Sequence, residues 1–336
     1  MSFARLLTLL AVFLFGGIFL LSLTKKKEKP QSVTQSLVEE VFLDDEANSH
    51  ETLELAKKLP VDGAKETENA TILNPKSDFS SLPQANRIDE LFSVYGKKLD
   101  IVETISYTSR VSWLRGRPAW LSDYARHFQT PIHFISRSLS QSKDYSYDNV
   151  SNGDRFNIFS RDKKIEFHLV VDLSLLKMWM YAFNKESQEK ILLKVYPVGL
   201  GRLDSQALSG SLTPKGVYSL GKKIATYREG VSGYFNHQKV EMIRIFGTRW
   251  IPFEQELKDC SAPAKGFGIH GMPWDESSGV LQENANSLGK YESDGCIRLL
   301  SQDVEELFAI ITTKPSFIHL LDNFQDLEFN DISNQG

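Results

Sequence analysis

The chain has 336 residues, of which 41% are hydrophobic and 24% charged, with 39 Lys and Arg against 43 Asp and Glu for a net charge of −4. At roughly 150 residues per domain this suggests about two domains plus extra segments. The composition is that of an ordinary globular protein, and the slightly acidic balance argues against a general nucleic-acid binder.

Leu6 to Leu23 is an uncharged, largely apolar run that approaches the length of a membrane span. Lys25, Lys26, Lys27 and Lys29 follow, with no obvious small-residue cleavage site before them. Residues 1–29 are therefore expected to be an uncleaved membrane anchor, the alternative being a removed signal peptide. Taken alone, the flanking lysines would keep the rest of the chain in the cytoplasm. Residues 30–86 read as a flexible acidic stalk, poor in aromatics and punctuated by Pro60, Pro75 and Pro83.

From Arg87 the pattern changes. Ile88–Phe92 predicts a short helix, and the alternating, β-branched stretch Ile101–Val111 a strand. Leu121, Tyr124, Ala125 and Phe128 share a helical face, and a second helix is predicted from Pro131 to Leu139. Gly153–Phe159 reads as a turn and a strand. This strand–helix–helix–strand order, with Ala125-x-x-Phe128-x-Thr130-Pro131 and Gly153-Asp154-x-Phe156-x-Ile158, resembles a LysM domain. That resemblance implies a small module binding glycan strands that contain N-acetylglucosamine. The alternative for residues 87–162 is a helical cap on the neighbouring domain. Trp113 and Trp120 are candidates for stacking on sugar rings, with core packing the competing fate.

Residues 163–325 carry the densest β signals. Phe167, Leu169, Val171 and Leu173 alternate, and Met178, Met180 and Ala182 do so after a turn near Ser174, predicting a hairpin. Further strands are predicted over Ile191–Val198, Val217–Leu220 and Val240–Phe246, and another at Gly266–Gly271. Short strands with a helix at the end indicate an all-β sandwich with an appended helix. That helix follows Ser301, a candidate cap, with Asp303, Glu305 and Glu306 in its first turn. Val304, Leu307, Phe308 and Ile311 form its apolar face. Residues 326–336 read as a tail.

Two residues in this region suggest chemistry. Cys296 follows a glycine on a turn leading into that helix, and His270 ends a glycine-flanked strand. A thiol attacks as its thiolate and needs a base or a cationic neighbour, and backbone N–H groups at such a turn can hold an oxyanion. The pattern His270-Gly271, a long loop, then Ser293-x-Gly295-Cys296-Ile297-Arg298 resembles the L,D-transpeptidases with the YkuD-type catalytic domain. Tyr196-Pro197-Val198-Gly199 and Thr213-Pro214-Lys215-Gly216 resemble further segments of that family. Two departures are plain: Asp294 stands where the family has a second His, and the loop from Met272 to Glu292 is longer than the family's spacing.

The resemblance implies Cys296 as nucleophile and His270 as base, with Gly295, Ser293 and Gly271 positioning the turn and the oxyanion. Arg298 would grip substrate carboxylates or, structurally, pair with the following helix. Ser293 would position the turn or bond His270, and Asp294 would orient a cation or face water. Cys260 is structural or incidental, a pairing with Cys296 being the alternative. The implied function is peptidoglycan 3–3 cross-linking in cell-wall biogenesis and cell shape, with no metal and no cofactor. The partners are stem peptides, glycan strands and, through the anchor, the membrane, with no nucleic acid. The resemblance places the catalytic domain in the periplasm on the inner membrane, against the local lysine count. Alternatives are an L,D-carboxypeptidase on the same scaffold and a non-catalytic wall anchor.

Overall fold

The structure, a computed structural model, describes residues 82–327 apart from 144, 146–149 and 223. The expected anchor, the stalk up to residue 81 and the tail from 328 lie outside the described residues. Among the described residues no helix is long and apolar enough to cross a membrane.

Leu82–Asn86 already lie against the protein. Pro83 accepts a hydrogen bond from the Trp179 indole (2.9 Å), and Asn86 bridges to Lys194. Helix α1 is Asp89–Phe92. Then β1 (Val102–Ser106), α2 (Leu121–Phe128), α3 (Ile132–Ser140) and β2 (Arg155–Phe159) follow, with β1 and β2 paired antiparallel. The βααβ order read from the sequence is thus present, with β1 shorter than the apolar run suggested. Tyr107, Leu121, Tyr124, Ile135, Phe156 and Ile158 form the module's own core. Its other face is shared: Phe134 and Phe159 join the main core, and Phe159 packs on Phe167 at 5.7 Å.

The remaining strands are β3 (Ile165–Asp172), β4 (Lys177–Asn184), β5 (Glu189–Pro197), β6 (Leu200–Gly201), β7 (Gly216–Leu220), β8 (Ala225–Thr226), β9 (Ser232–Phe235) and β10 (Gln238–Glu241). After a helical turn, α4 (Ile243–Phe246), come β11 (Arg249–Lys258), β12 (Gly268–Gly271), β13 (Trp274–Ser277), β14 (Val280–Glu283), β15 (Tyr291–Ser293) and β16 (Ile297–Leu299). Helix α5 (Ser301–Ile311) and β17 (Ser316–Leu321) close the series.

A single mixed sheet of nine strands runs β16-β12-β11-β7-β17-β3-β4-β5, with β8 on β11. It replaces the two separate sheets of the expected sandwich. The reason lies in β11, which pairs with β12 through its first residues and with β7 through its later ones. Register shifts at Phe253/Gln255 and Glu256/Lys258 interrupt the half of this ladder that pairs with β7. Such bulges bend and twist a strand, so the sheet curls around one core. Ile269, Ile297 and Leu299 from one end of the sheet share that core with Leu169, Val171 and Met180 from the other. Strand β3 is buried along its whole length, Glu166, His168 and Asp172 included. Phe167, Leu169 and Val171 face the main core, and Val170 meets Trp179 and Tyr181 on the opposite side.

Two local readings are corrected and one loop gains detail. Val240–Phe246 is not one strand: β10 ends at Glu241 and α4 follows. The long loop from Met272 to Glu292 contains the hairpin β13–β14, turned by Ser278 and Gly279, both at positive φ. Ser301 is inside α5 rather than its cap. Its hydroxyl accepts from the Trp274 indole (3.3 Å) and its N–H donates to Glu283.

The apolar face Val304, Leu307, Phe308 and Ile311 of α5 is buried as read. Its acidic first turn is buried too. Glu306 accepts from Arg137 (3.1 Å), Lys194 (2.6 Å) and the Tyr196 hydroxyl (3.0 Å), and Asp303 takes Lys194 at 2.9 Å. This cluster of paired charges ties α3 of the βααβ module to the helix behind the candidate site. Removing one member would leave the others desolvated without compensation.

Candidate active site

Strands β12 and β16 are parallel neighbours, with Ile269 opposite Ile297 and His270 opposite Arg298. Cys296, one residue before β16, is therefore beside Gly268. Alternation along the strands puts Cys296, Arg298 and His270 on one face. Cys296 and His270 are diagonal neighbours, about 8 Å apart at the backbone from strand spacing and rise. In the structure the thiol bonds the Gly266 carbonyl rather than the imidazole, so it must turn to reach His270.

The turn before Cys296 is built from both sides. Ser293 is buried, and its hydroxyl donates to the Cys296 carbonyl (2.6 Å) and accepts from the Gly295 N–H (3.1 Å). Ser293 therefore holds the turn, and these bonds are not to His270. With its N–H engaged by Ser293, Gly295 would have to exchange that bond to serve an oxyanion. Gly295 sits at φ +117°, and a Cβ there would lie 2.5 Å from the Phe267 ring and 2.7 Å from the Leu212 carbonyl. Only glycine fits.

Strand β6 threads through this turn. Gly199 exchanges two 2.9 Å backbone bonds with Arg298, Leu200 N–H donates to Lys290, and Arg202 N–H donates to Ser293. The buried Thr213 hydroxyl clasps the arrangement, donating to the Gly295 carbonyl (3.0 Å) and accepting from Gly201 N–H (2.7 Å).

His270 is buried, and its Nδ1 is 2.7 Å from the Gly271 carbonyl. A carbonyl only accepts, so a proton on Nδ1 satisfies this contact, the tautomer that leaves Nε2 to act as a base; the Phe246 carbonyl also bonds the ring. Phe246 meets the ring edge-on at 5.3 Å and Trp250 lies at 5.9 Å, fixing its plane. Gly247, at φ +61°, lets the backbones of α4 and β12 touch: a Cβ there would be 2.6 Å from the Gly271 carbonyl carbon. Burial, helped by the positive charge of Arg298, pulls His270 down to about 4, so it is neutral at pH 7.

Cys296 is a half-buried free thiol whose Sγ donates to the Gly266 carbonyl at 3.8 Å. Burial pushes it up to about 11. The Gly268 N–H and Arg298 oppose that shift and Asp294 adds to it. Thiol and imidazole are thus both neutral at rest, and a proton would pass between them only as attack begins.

Arg298 is half-buried beside Cys296, with Nη1 3.5 Å from Ser287 Oγ and a buried Nε that has no hydrogen-bond partner. Asp294 points outward and pairs with Arg202 at 2.6 Å. Cys260 is also free, its Sγ donating to the carbonyls of Val217 (3.1 Å) and Lys258 (3.4 Å).

In the βααβ module the two tryptophans part ways. Trp113 stacks on His127 (4.2 Å) and meets Tyr124 edge-on, whereas Trp120 is 55% exposed with the Arg117 guanidinium 4.5 Å from its ring.

Residues 166–318 match the family model described as the L,D-transpeptidase catalytic domain, YkuD. That segment is a YkuD domain. The match runs from β3 to the middle of β17 and so contains both halves of the curled sheet and the turn at Cys296. A protein named "Putative L,D-transpeptidase YqjB", from Bacillus subtilis (strain 168), is 30% identical over 120 residues, covering 35% of this chain and 53% of that protein. The chain thus spans about half the length of that curated relative. Among solved structures, Bdellovibrio bacteriovorus Bd1075 aligns at 14% identity over 47% of this chain and 48% of that one, with a TM-score of 0.32. The helical cell shape determining protein Pgp2 from Campylobacter jejuni aligns at 15% identity over 48% and 51%, also at 0.32.

The residues that reasoning from sequence does not single out around this YkuD site are Arg202 and Phe246; Gly247 and Trp250 enter it only within the stretch Gly247-Thr248-Arg249-Trp250-Ile251, which resembles the family's strand before the His. Thr213 enters that reasoning only as part of a motif. Phe246 and Trp250 stand on either side of Gly247-Thr248 at the start of β11, and two aromatics beside a glycine near the His270 strand are a readable signal.

Proposed function

We propose that this protein is a peptidoglycan L,D-transpeptidase working through a cysteine acyl-enzyme. The observation that carries the proposal is the His270 tautomer: Nδ1–H tied to the Gly271 carbonyl leaves Nε2 as a base on the strand next to Cys296. Cys296 Sγ attacks the carbonyl carbon of the third stem residue, probed first as meso-diaminopimelate, and its proton passes to His270 Nε2. The tetrahedral intermediate collapses, the C–N bond breaks and the terminal D-alanine leaves with that proton. A side-chain amine of a neighbouring stem then attacks the thioester, giving a 3–3 cross-link. Water in its place gives an L,D-carboxypeptidase. The unpartnered Nε of Arg298 beside the thiol supports a role in gripping a substrate carboxylate.

The anchor over residues 1–29 would hold the enzyme at the inner membrane with the YkuD domain in the periplasm. The βααβ region would act as a LysM-like glycan binder through the exposed Trp120. That exposed ring favours one second reading, a wall anchor whose catalytic site is silent.

The deciding experiment is the intact mass of the full-length protein in detergent after incubation with a carbapenem, which the resemblance implies as an acylating agent. An adduct lost in Cys296→Ala supports the enzyme. A free, unmodified thiol under reducing conditions, together with glycan binding that needs Trp120, favours the anchor.

A further inference from the structure

Asp294 is the position at which this chain departs from the nucleophile pattern it otherwise follows, and the structure gives it a partner. Its carboxylate meets the Arg202 guanidinium at 2.6 Å, with the two side chains 78% and 59% exposed. Their backbones, by contrast, are anchored. Asp294 lies between buried Ser293 and buried Gly295. Arg202 donates its N–H to the Ser293 carbonyl (2.9 Å), and its own carbonyl accepts from Leu212 N–H (2.8 Å). Two opposite charges are thus held at fixed points on the solvent side of the Cys296 turn. As a stabilising device the pair is weak: an exposed ion pair contributes about 0.2–1 kcal/mol. A ligand carrying both charges can therefore displace it at little cost. Arg298, half-buried with its unpartnered Nε, remains for the donor, so the outer pair is free for a second substrate. The field of Asp294 extends to both Cys296 and Arg298.

We propose that Arg202 and Asp294 bind the acceptor of the acyl transfer as a zwitterionic α-amino-acid group, Arg202 taking its carboxylate and Asp294 its ammonium. The inference rests on Cys296 being the acylated nucleophile. Arg202 offers a planar fork suited to a carboxylate, and Asp294 a single acceptor for an ammonium. A simple amine satisfies only Asp294 and leaves Arg202 unmatched, and water satisfies neither. The bound ammonium releases one proton to solvent. The amine nitrogen then attacks the thioester carbon, the C–N bond forms and the C–Sγ bond breaks. A second proton passes through His270 Nε2 to Sγ, restoring the thiol.

The test uses the full-length protein in detergent with a tetrapeptide stem as donor. Glycine, glycinamide and ethylamine compete as acceptors, and mass spectrometry reads the ratio of amide to hydrolysed product. This ratio is independent of how fast the acyl-enzyme forms. Glycine should exceed both other acceptors in the wild type. Arg202→Gln should lower the glycine-to-glycinamide ratio by about fivefold, the worth of one exposed ion pair. Asp294→Asn should lower the amide-to-hydrolysis ratio for all three amines by a similar factor. Ratios unchanged in both variants would overturn the proposal. Absence of any covalent adduct with the donor would instead refute the acyl-enzyme. In that case, titration of glycine against the protein, monitored through the Arg202 Nε–H NMR resonance, decides the acceptor site. A shift that Asp294→Asn abolishes supports it, and no shift overturns it.

Discussion

The protonation state of the Cys296–His270 pair sets how the site must work, and it can be measured. The perturbation is pH, and the probe is iodoacetamide, which reacts with the thiolate. With the thiol pushed up to about 11 from an ordinary value of 9.0, only about one molecule in a thousand is thiolate at pH 8, against roughly one in ten for an ordinary thiol. Alkylation of Cys296 should therefore be about a hundredfold slower than that of a free thiol, equivalent to about 3 kcal/mol. Its rate should rise tenfold per pH unit through the neutral range and level off only near the top of the accessible range. His270, held at about 4, should add no inflection near pH 6. Peptide mapping by mass spectrometry separates Cys296 from the other free thiol, Cys260. A plateau below pH 8 would mean a preformed thiolate–imidazolium pair and would refute the reasoning that burial outweighs Arg298 and the Gly268 N–H.

Other perturbations have equally definite expectations. Burial holds His133 and His319 at about 3 and His270 at about 4. The unfolded chain binds protons on these groups below about 6.5 and the folded one does not. Stability present above pH 6.5 should therefore fall as pH drops, by about 2–3 kcal/mol per histidine at pH 4.5; equal denaturant midpoints at pH 7 and 4.5 would contradict this. Glu306→Leu strands Arg137 and leaves Lys194 only Asp303, a loss of about 3 kcal/mol. The expected drop in Tm is about 6–12 °C, and a double-mutant cycle with Arg137→Met should show coupling. Thr213→Val orphans the Gly201 N–H and frees the Gly295 carbonyl, costing about 1–3 kcal/mol. Acylation of Cys296 by a carbapenem should slow by about tenfold as the turn loosens, and a wild-type rate would show that the hydroxyl does not position it.

Sequence patterns made the hairpin β3–β4 legible, because alternation at Phe167, Leu169 and Val171 answers Met178 and Met180 directly across the ladder. Helix α5 was legible through its apolar face. Strand β17 was not: Phe317-Ile318-His319-Leu320-Leu321 follows the helix so closely that it reads as an ending. It is instead central, between β7 and β3. Only tertiary pairing distinguishes the two. The curl of the sheet was hidden for a related reason, since the bulges in β11 depend on which partner each half meets. In the site, the glycine turn at Cys296 was legible from the residues ahead of α5, and the place of Ser293 on it came from the family resemblance. The Arg202–Asp294 pair was not legible, because the two residues are 92 positions apart in the numbering and meet only through the pairing of β6 with β15. The acidic first turn of α5 looked like a response to the helix dipole, yet Asp303 and Glu306 are buried partners of Lys194 and Arg137.

The parallel pairing of β12 with β16 separates the geometry of the site from the length of chain that joins its two halves. Leaving His270 and Gly271, the polypeptide makes an excursion through β13 and β14 and returns to lie alongside the strand it left. The strand spacing and a two-residue offset set the separation of the His270 and Cys296 backbones, whatever the hairpin contains. The β13–β14 hairpin is thus a replaceable part, unlike Ser287 to Ser293, which carry the bonds to Arg298, Leu200 and the Cys296 turn. It can be trimmed, extended or exchanged for another hairpin to change what reaches the thiol, provided Met272 keeps its bond to the Leu299 carbonyl (2.8 Å) and Asn284 its bond to the Pro273 carbonyl (2.8 Å).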